Sequence, residues 1–221
     1  MARIGNRLTG EVFEIDPKAA RISRMRRRIW VWCKTCEEIA PSKKSGVTNR
    51  MITLTYKKSS DWKPLHIREF MLKARAFLGD RIMGYAWVAE MQRRGAVHYH
   101  VVIVFKTGKG LPYPDKSGWW PHGSSRVEKV KNFLYLMKYT QKGISDENNY
   151  PVGARIFAVW LPRSLQKHGE RFRNWLVSPY PSWVRGELLS RNAGVRAKPA
   201  AGGGWIIGGE VVKSPYIFLG R

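Results

Sequence analysis

Cysteine is scarce: two in 221 residues, too few for a disulfide framework. Their spacing, Cys33-Lys-Thr-Cys36, suits a metal or redox pair better than a structural bridge, which points to a reducing cytosol. Acidic residues are scarce as well, 16 Asp and Glu against 40 Lys and Arg. The resulting formal charge of +24 makes the surface repel itself unless a polyanion is near, so nucleic acid is the expected partner. Long apolar runs are missing. The stretch from Val101 to Phe105 falls well short of the ~20 residues that a membrane helix needs. Arg3, Arg7, Glu11 and Asp16 interrupt any signal-peptide core, so the chain is expected to be soluble and to stay where it is made. No internal repeat occurs. What is present, 43% hydrophobic and 12% aromatic residues, is enough for a packed core and argues against wholesale disorder.

Residues 1–47 form a basic extension in which Arg24, Arg26, Arg27 and Arg28 lead into Ile29-Trp30-Val31-Trp32, an arm expected to hold a short strand or helix. The run Met51 to Tyr56 is rich in β-formers and closes on a polar cluster, which predicts a strand and a turn. Leu65, Ile67, Phe70, Met71, Ala74, Phe77 and Leu78 recur at helical spacing, with Gly79 as the stop. Met83 to Met91 and Val97 to Phe105 flank Gln92-Arg93-Arg94-Gly95 and read as a hairpin. Ser125-Arg126-Val127-Glu128 matches a capping box opening a helix to about Lys142, and Arg155 to Leu161 reads as a last strand. The order β-α-β-β-α-β predicts an α+β, ferredoxin-like split β-α-β fold, an antiparallel sheet of about five strands with helices on one face. A core over 48–178 and a Gly/Pro-rich extension over 179–221 complete the expected domain plan.

His98 and His100 are two apart on the second hairpin strand, so they leave one face while Tyr99 leaves the other. Val101 to Phe105 is apolar on both faces, marking a central strand, where unsatisfied imidazoles would cost ~1–3 kcal/mol each. Folding the hairpin brings Glu90 roughly opposite His98, so a carboxylate and two imidazoles converge. One oxygen and two nitrogens, with positions left for water and substrate, suit Mg²⁺ or Mn²⁺ holding phosphate oxygens. Gln92 lies on the same strand face and is an alternative third ligand. On the expected helix, Tyr135, Lys138, Tyr139 and Lys142 fall within one arc, opposite Val130, Phe133, Leu134, Leu136 and Met137. Adjacent cations favour phenolate, and a metal ion on the target phosphate stabilises the charge that develops during attack. The bland alternatives are satisfied core histidines and an ordinary amphipathic helix.

Three motifs in order resemble the HUH endonucleases that initiate rolling-circle replication. Ile52-Thr53-Leu54-Thr55-Tyr56 is similar to the family's first motif, Glu90 with Gly95 to His100 to its metal-binding motif, and Tyr135 to Lys142 to its two-tyrosine motif. The last is most similar to initiators of single-stranded DNA phages, and the likeness covers roughly residues 48 to 165. It implies that His98, His100 and Glu90 ligate the ion, that Tyr135 and Tyr139 are nucleophiles, and that Lys138 and Lys142 assist at the phosphate. It further implies site-specific nicking and rejoining of single-stranded DNA through a 5′-phosphotyrosyl intermediate and a free 3′-OH. The setting implied is rolling-circle replication of a phage or plasmid in a prokaryotic cytoplasm, with host helicase and polymerase as partners. The sequence shows no Gly-x-x-x-x-Gly-Lys-Ser/Thr, so the fused helicase of eukaryotic-virus initiators is not expected.

Two rival readings remain. One is an HUH single-strand transposase, which usually deploys one tyrosine. The other is a non-catalytic single-stranded nucleic-acid-binding protein using the charge and the 10 tryptophans. Arg26, Arg27, Arg28, Arg93 and Arg94 are candidates for phosphate contacts, and Trp119 and Trp120 either clamp a strand or cover a sheet edge. Cys33 and Cys36 are either buried thiols or half of a zinc site that His66 or His122 would complete.

Overall fold

The computed structural model describes residues 3–14, 17–41, 46–92, 95–140, 150, 154–169, 198–199, 205–212 and 215–220. They fall into two compact units, a larger one over Met25–Gly169 and a smaller one drawn from both ends of the chain. In the smaller unit, β1 (Arg3–Asn6) pairs antiparallel with β2 (Val12–Glu14).

Helix α1 (Pro17–Ile39) belongs to the larger unit from Met25 onward. The sequence reading left its type open. Met25, Ile29, Trp32, Cys33, Cys36 and Ile39 are all buried, and their i, i+4, i+7, i+8, i+11 spacing is one helical stripe. The rest of that unit is a sheet of β3 (Val47–Tyr56), β4 (Ile82–Met91), β5 (Val97–Lys106), β6 (Gly123–Lys129) and β7 (Phe157–Trp160), with α2 (His66–Leu78) between β3 and β4. The order is β6-β3-β5-β4-β7, antiparallel throughout. The α+β class and the five-stranded antiparallel sheet agree with expectation. In the smaller unit, β8 (Lys198–Pro199), β9 (Trp205–Ile207) and β10 (Glu210–Val212) make a second small sheet, and β11 (Tyr216–Gly220) pairs with β1.

Two expectations need correction. The helix expected to open at Ser125 is instead the edge strand β6, whose residues alternate in exposure and pair with β3 from Arg50↔Lys129 to Tyr56↔Gly123. Seven residues of ladder outweigh a local capping pattern. Gly123 permits the close start of that pairing, because a Cβ there would meet the Thr55 carbonyl oxygen. Helical structure begins only at Phe133, where the Asn132 side chain accepts from Leu134 N–H at 2.8 Å. It continues as a 3-10 turn over Phe133–Leu136 and an α-helical turn over 137–140.

The helices also lie on both faces of the sheet rather than on one. Alternation along β5 puts His98, His100, Val102 and Val104 on one side and Val97, Tyr99, Val101 and Ile103 on the other. On the His98 side, Trp32 of α1 packs at 82° against Phe133 and Arg28 lies over Phe157. On the Tyr99 side, His66 of α2 packs against Tyr56, and Arg75 lies 5.1 Å from the Trp160 ring, which stacks on Tyr85. No helix is long and apolar enough to cross a membrane among the described residues.

Candidate active site

A turn over residues 92–96 closes the hairpin, with Gln92 N–H donating to Ala96 O at 2.9 Å and Gly95 N–H to Gln92 O at 2.8 Å. Gly95 takes φ +78, a left-handed conformation that glycine adopts at little cost. The register then sets Glu90 directly across from His98, and Val88 across from His100. From the other flank, β3 places Thr55 opposite His98 and Thr53 opposite His100. All these side chains except the apolar Val88 are polar, and all share one face.

His100 is 4% exposed and Glu90 8%, and His100 Nε2–H donates to Glu90 Oε2 at 2.6 Å. Burial of a carboxylate is costly unless it is paired, and this bond supplies the pairing. With Nε2 acting as donor, Nδ1 is left to accept from the Thr53 hydroxyl at 3.4 Å. The Glu90 carboxylate, not the Gln92 side chain, therefore orients His100 here, while Gln92 lies past the end of β4. The His98 ring lies 6.4 Å from that of His100, with its Nε2 buried.

The tyrosines meet this cluster. Tyr139 stacks on the His100 ring at 3.4 Å and 14°, and Tyr135 meets Tyr139 edge-on at 5.6 Å. Tyr135 is 49% exposed, and the Lys138 ammonium lies 5.5 Å from its ring centre. Phe133, Leu136 and Val130 are buried behind them, so the expected division between apolar and phenolic sides holds for these residues. Lys142, Arg93 and Arg94 lie outside the described residues.

One electrostatic expectation is reversed. Burial, the hydrogen bond with Tyr135, and the charges of Tyr135, Glu90 and Glu128 all push the Tyr139 hydroxyl to a higher pKa, so it is a neutral phenol rather than a phenolate favoured by neighbouring cations. Lys138 is drawn to the Tyr135 ring instead.

Metal fit is a question of donor chemistry. Among the described residues no three His, Cys, Asp or Glu side chains form a ready cage. One carboxylate and two imidazoles on a shared face nevertheless make a donor set suited to a hard or borderline divalent ion, and such an ion would replace the direct His100–Glu90 bond.

Several sequence candidates part from the site. Trp120 is 1% exposed, donates Nε1–H to Thr55 O at 3.1 Å and packs on Tyr56 at 69°, so it is core and cannot stack a base. Trp119 is half-buried, edge-on to Phe77. Arg26 and Arg27 are half-buried and Arg28 exposed, with its guanidinium 5.9 Å from the Phe157 ring. The zinc alternative does not form. Cys33 and Cys36 are buried in α1 on the His98 side, where Cys33 Sγ–H donates to Phe133 O at 3.1 Å. His66 and His122 stack on each other at 3.6 Å against Tyr56, on the opposite face. The sequence reading missed Arg126, which β6 sets across from Thr53 on the rim of the site. The alternation Ser124, Arg126, Glu128 was the available signal, masked by the capping-box match.

Residues 49–144 match the family model of the replication-associated protein ORF2. The chain carries a replication-associated protein domain of this family. The matched segment runs from β3 through the helical turns, so Glu90, His98, His100, Tyr135 and Tyr139 all lie inside the replication-associated domain. Helix α1 and β7 lie outside it. No curated protein matches the chain.

Proposed function

We propose that this domain nicks and rejoins single-stranded DNA by tyrosine transesterification, in a divalent-ion-dependent reaction that initiates and terminates rolling-circle replication of a phage or plasmid. The observation that carries the reading is the contact of Tyr139 with His100, which puts a pair of phenols beside the one buried carboxylate–imidazole cluster in this part of the sheet. A structural role alone gives no reason for a ring as exposed as Tyr135 to sit there.

A Mg²⁺ or Mn²⁺ ion held by His98, His100 and Glu90 would supply positive charge to the scissile phosphate. The chain's own residues do the rest. Tyr135 Oη, the more exposed of the two, forms the bond to phosphorus. The bond from phosphorus to the 3′ oxygen breaks, and the phenolic proton ends on that oxygen, leaving a 3′-OH and a 5′-phosphotyrosyl link. Lys138 and Arg126 flank the phosphate as cations, as Lys142 does in the reading from sequence. Because bond energy is conserved in the adduct, Tyr139 or the 3′-OH can later reseal the strand without ATP. His100 is fixed on three sides, by Glu90, Thr53 and the Tyr139 ring, so its geometry is set before DNA arrives.

The reaction belongs in a prokaryotic cytoplasm, with host helicase and polymerase supplying unwinding and synthesis. The test uses labelled single-stranded oligonucleotides tiling the encoding replicon, with Mg²⁺ or Mn²⁺, resolved on a denaturing gel. A covalent protein–DNA band is expected from the wild type. Its absence on every oligonucleotide, with DNA binding intact, would move the chain to the non-catalytic binding reading. An adduct restricted to element ends would support the transposase reading.

A further inference from the structure

The surface opposite the tyrosines carries a second set of rings and cations that neither the fold nor the proposed chemistry uses. The loop after β5 is strapped across the C-terminal half of α2. Lys73 Nζ donates to Gly118 O at 2.9 Å, Arg81 donates to Lys109 O at 3.0 Å, and Trp119 meets Phe77 edge-on at 5.3 Å. Two cations face the Phe77 ring, Lys109 at 5.5 Å and Arg81 at 5.9 Å. Further along the loop, Tyr113 is 53% exposed and has Lys116 5.4 Å from its ring centre.

The charge of this surface is not cancelled. Lys73, Arg81, Lys109 and Lys116 enter no ion pair among the described residues, and the two bonded ones are held by neutral carbonyls. Two carboxylates lie in the same stretch, Asp80 and Asp115. Asp115 accepts from the Ser125 hydroxyl, which keeps it ionised and turned toward β6. Four cations against two anions, interleaved with three aromatic rings, make a surface that both tracks phosphates and offers faces for bases. A duplex hides its base faces, so the rings would be wasted on one.

We propose that the Phe77–Trp119 platform, with Lys73 and Lys109 beside it, is a second binding surface for single-stranded DNA, on the face of the sheet away from Tyr135 and Tyr139. It goes beyond the nicking reading, since it needs neither the phenols nor a metal ion. It gives the domain a hold on a strand at a point other than the one being cut.

The experiment is fluorescence anisotropy of the full chain with a labelled 20-mer of dT, in EDTA, at several NaCl concentrations. Lys109→Gln with Lys116→Gln changes only exposed side chains. It is expected to weaken binding about tenfold and to lower the magnitude of the log–log salt slope by about 1.4, the value for two lost single-strand phosphate contacts. Trp119→Leu is expected to weaken binding about tenfold with an unchanged salt slope, as loss of one stacked base does. An unchanged affinity and slope in the lysine variant would overturn the proposal. An equal loss by Trp119→Leu on a blunt duplex of the same length would overturn its aromatic half. Binding in EDTA is independent of adduct formation, so failure of the nicking assay leaves this result standing, and the reverse holds too.

Discussion

The two faces of the central sheet are built from the same strands yet solve opposite problems. On β5, His98 and His100 go to one side and Tyr99 to the other. On the Tyr99 side the polar atoms are tied off. Trp62 Nε1–H donates to the Tyr99 hydroxyl at 2.8 Å, and Tyr56 lies within 3.2 Å of His66 Nδ1, inside a cluster of edge-packed rings that includes Trp120. Aromatic pairs of this kind contribute about 0.5–1.5 kcal/mol each beyond their buried area. On the His98 side the polar groups meet one another, His100 with Glu90 and Thr53, and the ring stacked on them leads out to an exposed phenol. Period-two alternation thus assigns stability to one face and chemistry to the other, and a substitution should report which face it struck.

The sharpest break is expected at the tyrosines. Tyr135→Phe with Tyr139→Phe should abolish the covalent DNA band while leaving the thermal midpoint near that of the wild type, because neither hydroxyl sits in the main core. His98→Ala with His100→Ala should likewise lose cleavage and retain DNA affinity by anisotropy. On the other face the pattern should invert. Trp120→Ala is expected to cost about 3–5 kcal/mol of stability, read by denaturant unfolding, with adduct formation per folded molecule preserved. Gly123→Ala should cost about 1–3 kcal/mol, since a methyl group there meets backbone that has to shift.

The smallest effect concerns pH. Burial lowers the pKa of both His66 and His122, and for His66 the charge of His122 adds to this. The unfolded chain therefore binds more protons near pH 6.5, so the stability these rings confer is present above that pH and is lost as pH falls toward the folded values. His122→Phe should narrow the difference in melting temperature between pH 7 and pH 5. An unaltered difference would show that the stacked pair does not set the acid response.

Much of the site was legible because it depends on short-range geometry. The hairpin's Gly95 and its two apolar runs fix the register, and the register fixes Glu90 against His98. The sidedness of Phe133, Leu136 and Tyr135 followed from helical periodicity even though the helical segment starts later than its capping-box match suggested. What was not legible was settled by distant partners. Gly123 to Lys129 became a strand because β3 had an unpaired edge to fill, and no local propensity records that vacancy. Helix α1 was readable in its 25, 29, 32, 33, 36 stripe, but the arginines interleaved with it drew attention to charge rather than to spacing. The stacking of Tyr139 on His100, and the resulting rise of its pKa, joins residues 39 apart in the chain and needed the folded arrangement to be seen.

Burial of Cys33 and Cys36 has a practical corollary. Both thiols are held protonated by their apolar surroundings, which removes the nucleophilic form that alkylating reagents attack. A single cysteine introduced on an exposed loop would then react alone in the native state. Dyes or spin probes could be attached to the natural background to follow the strand through the molecule.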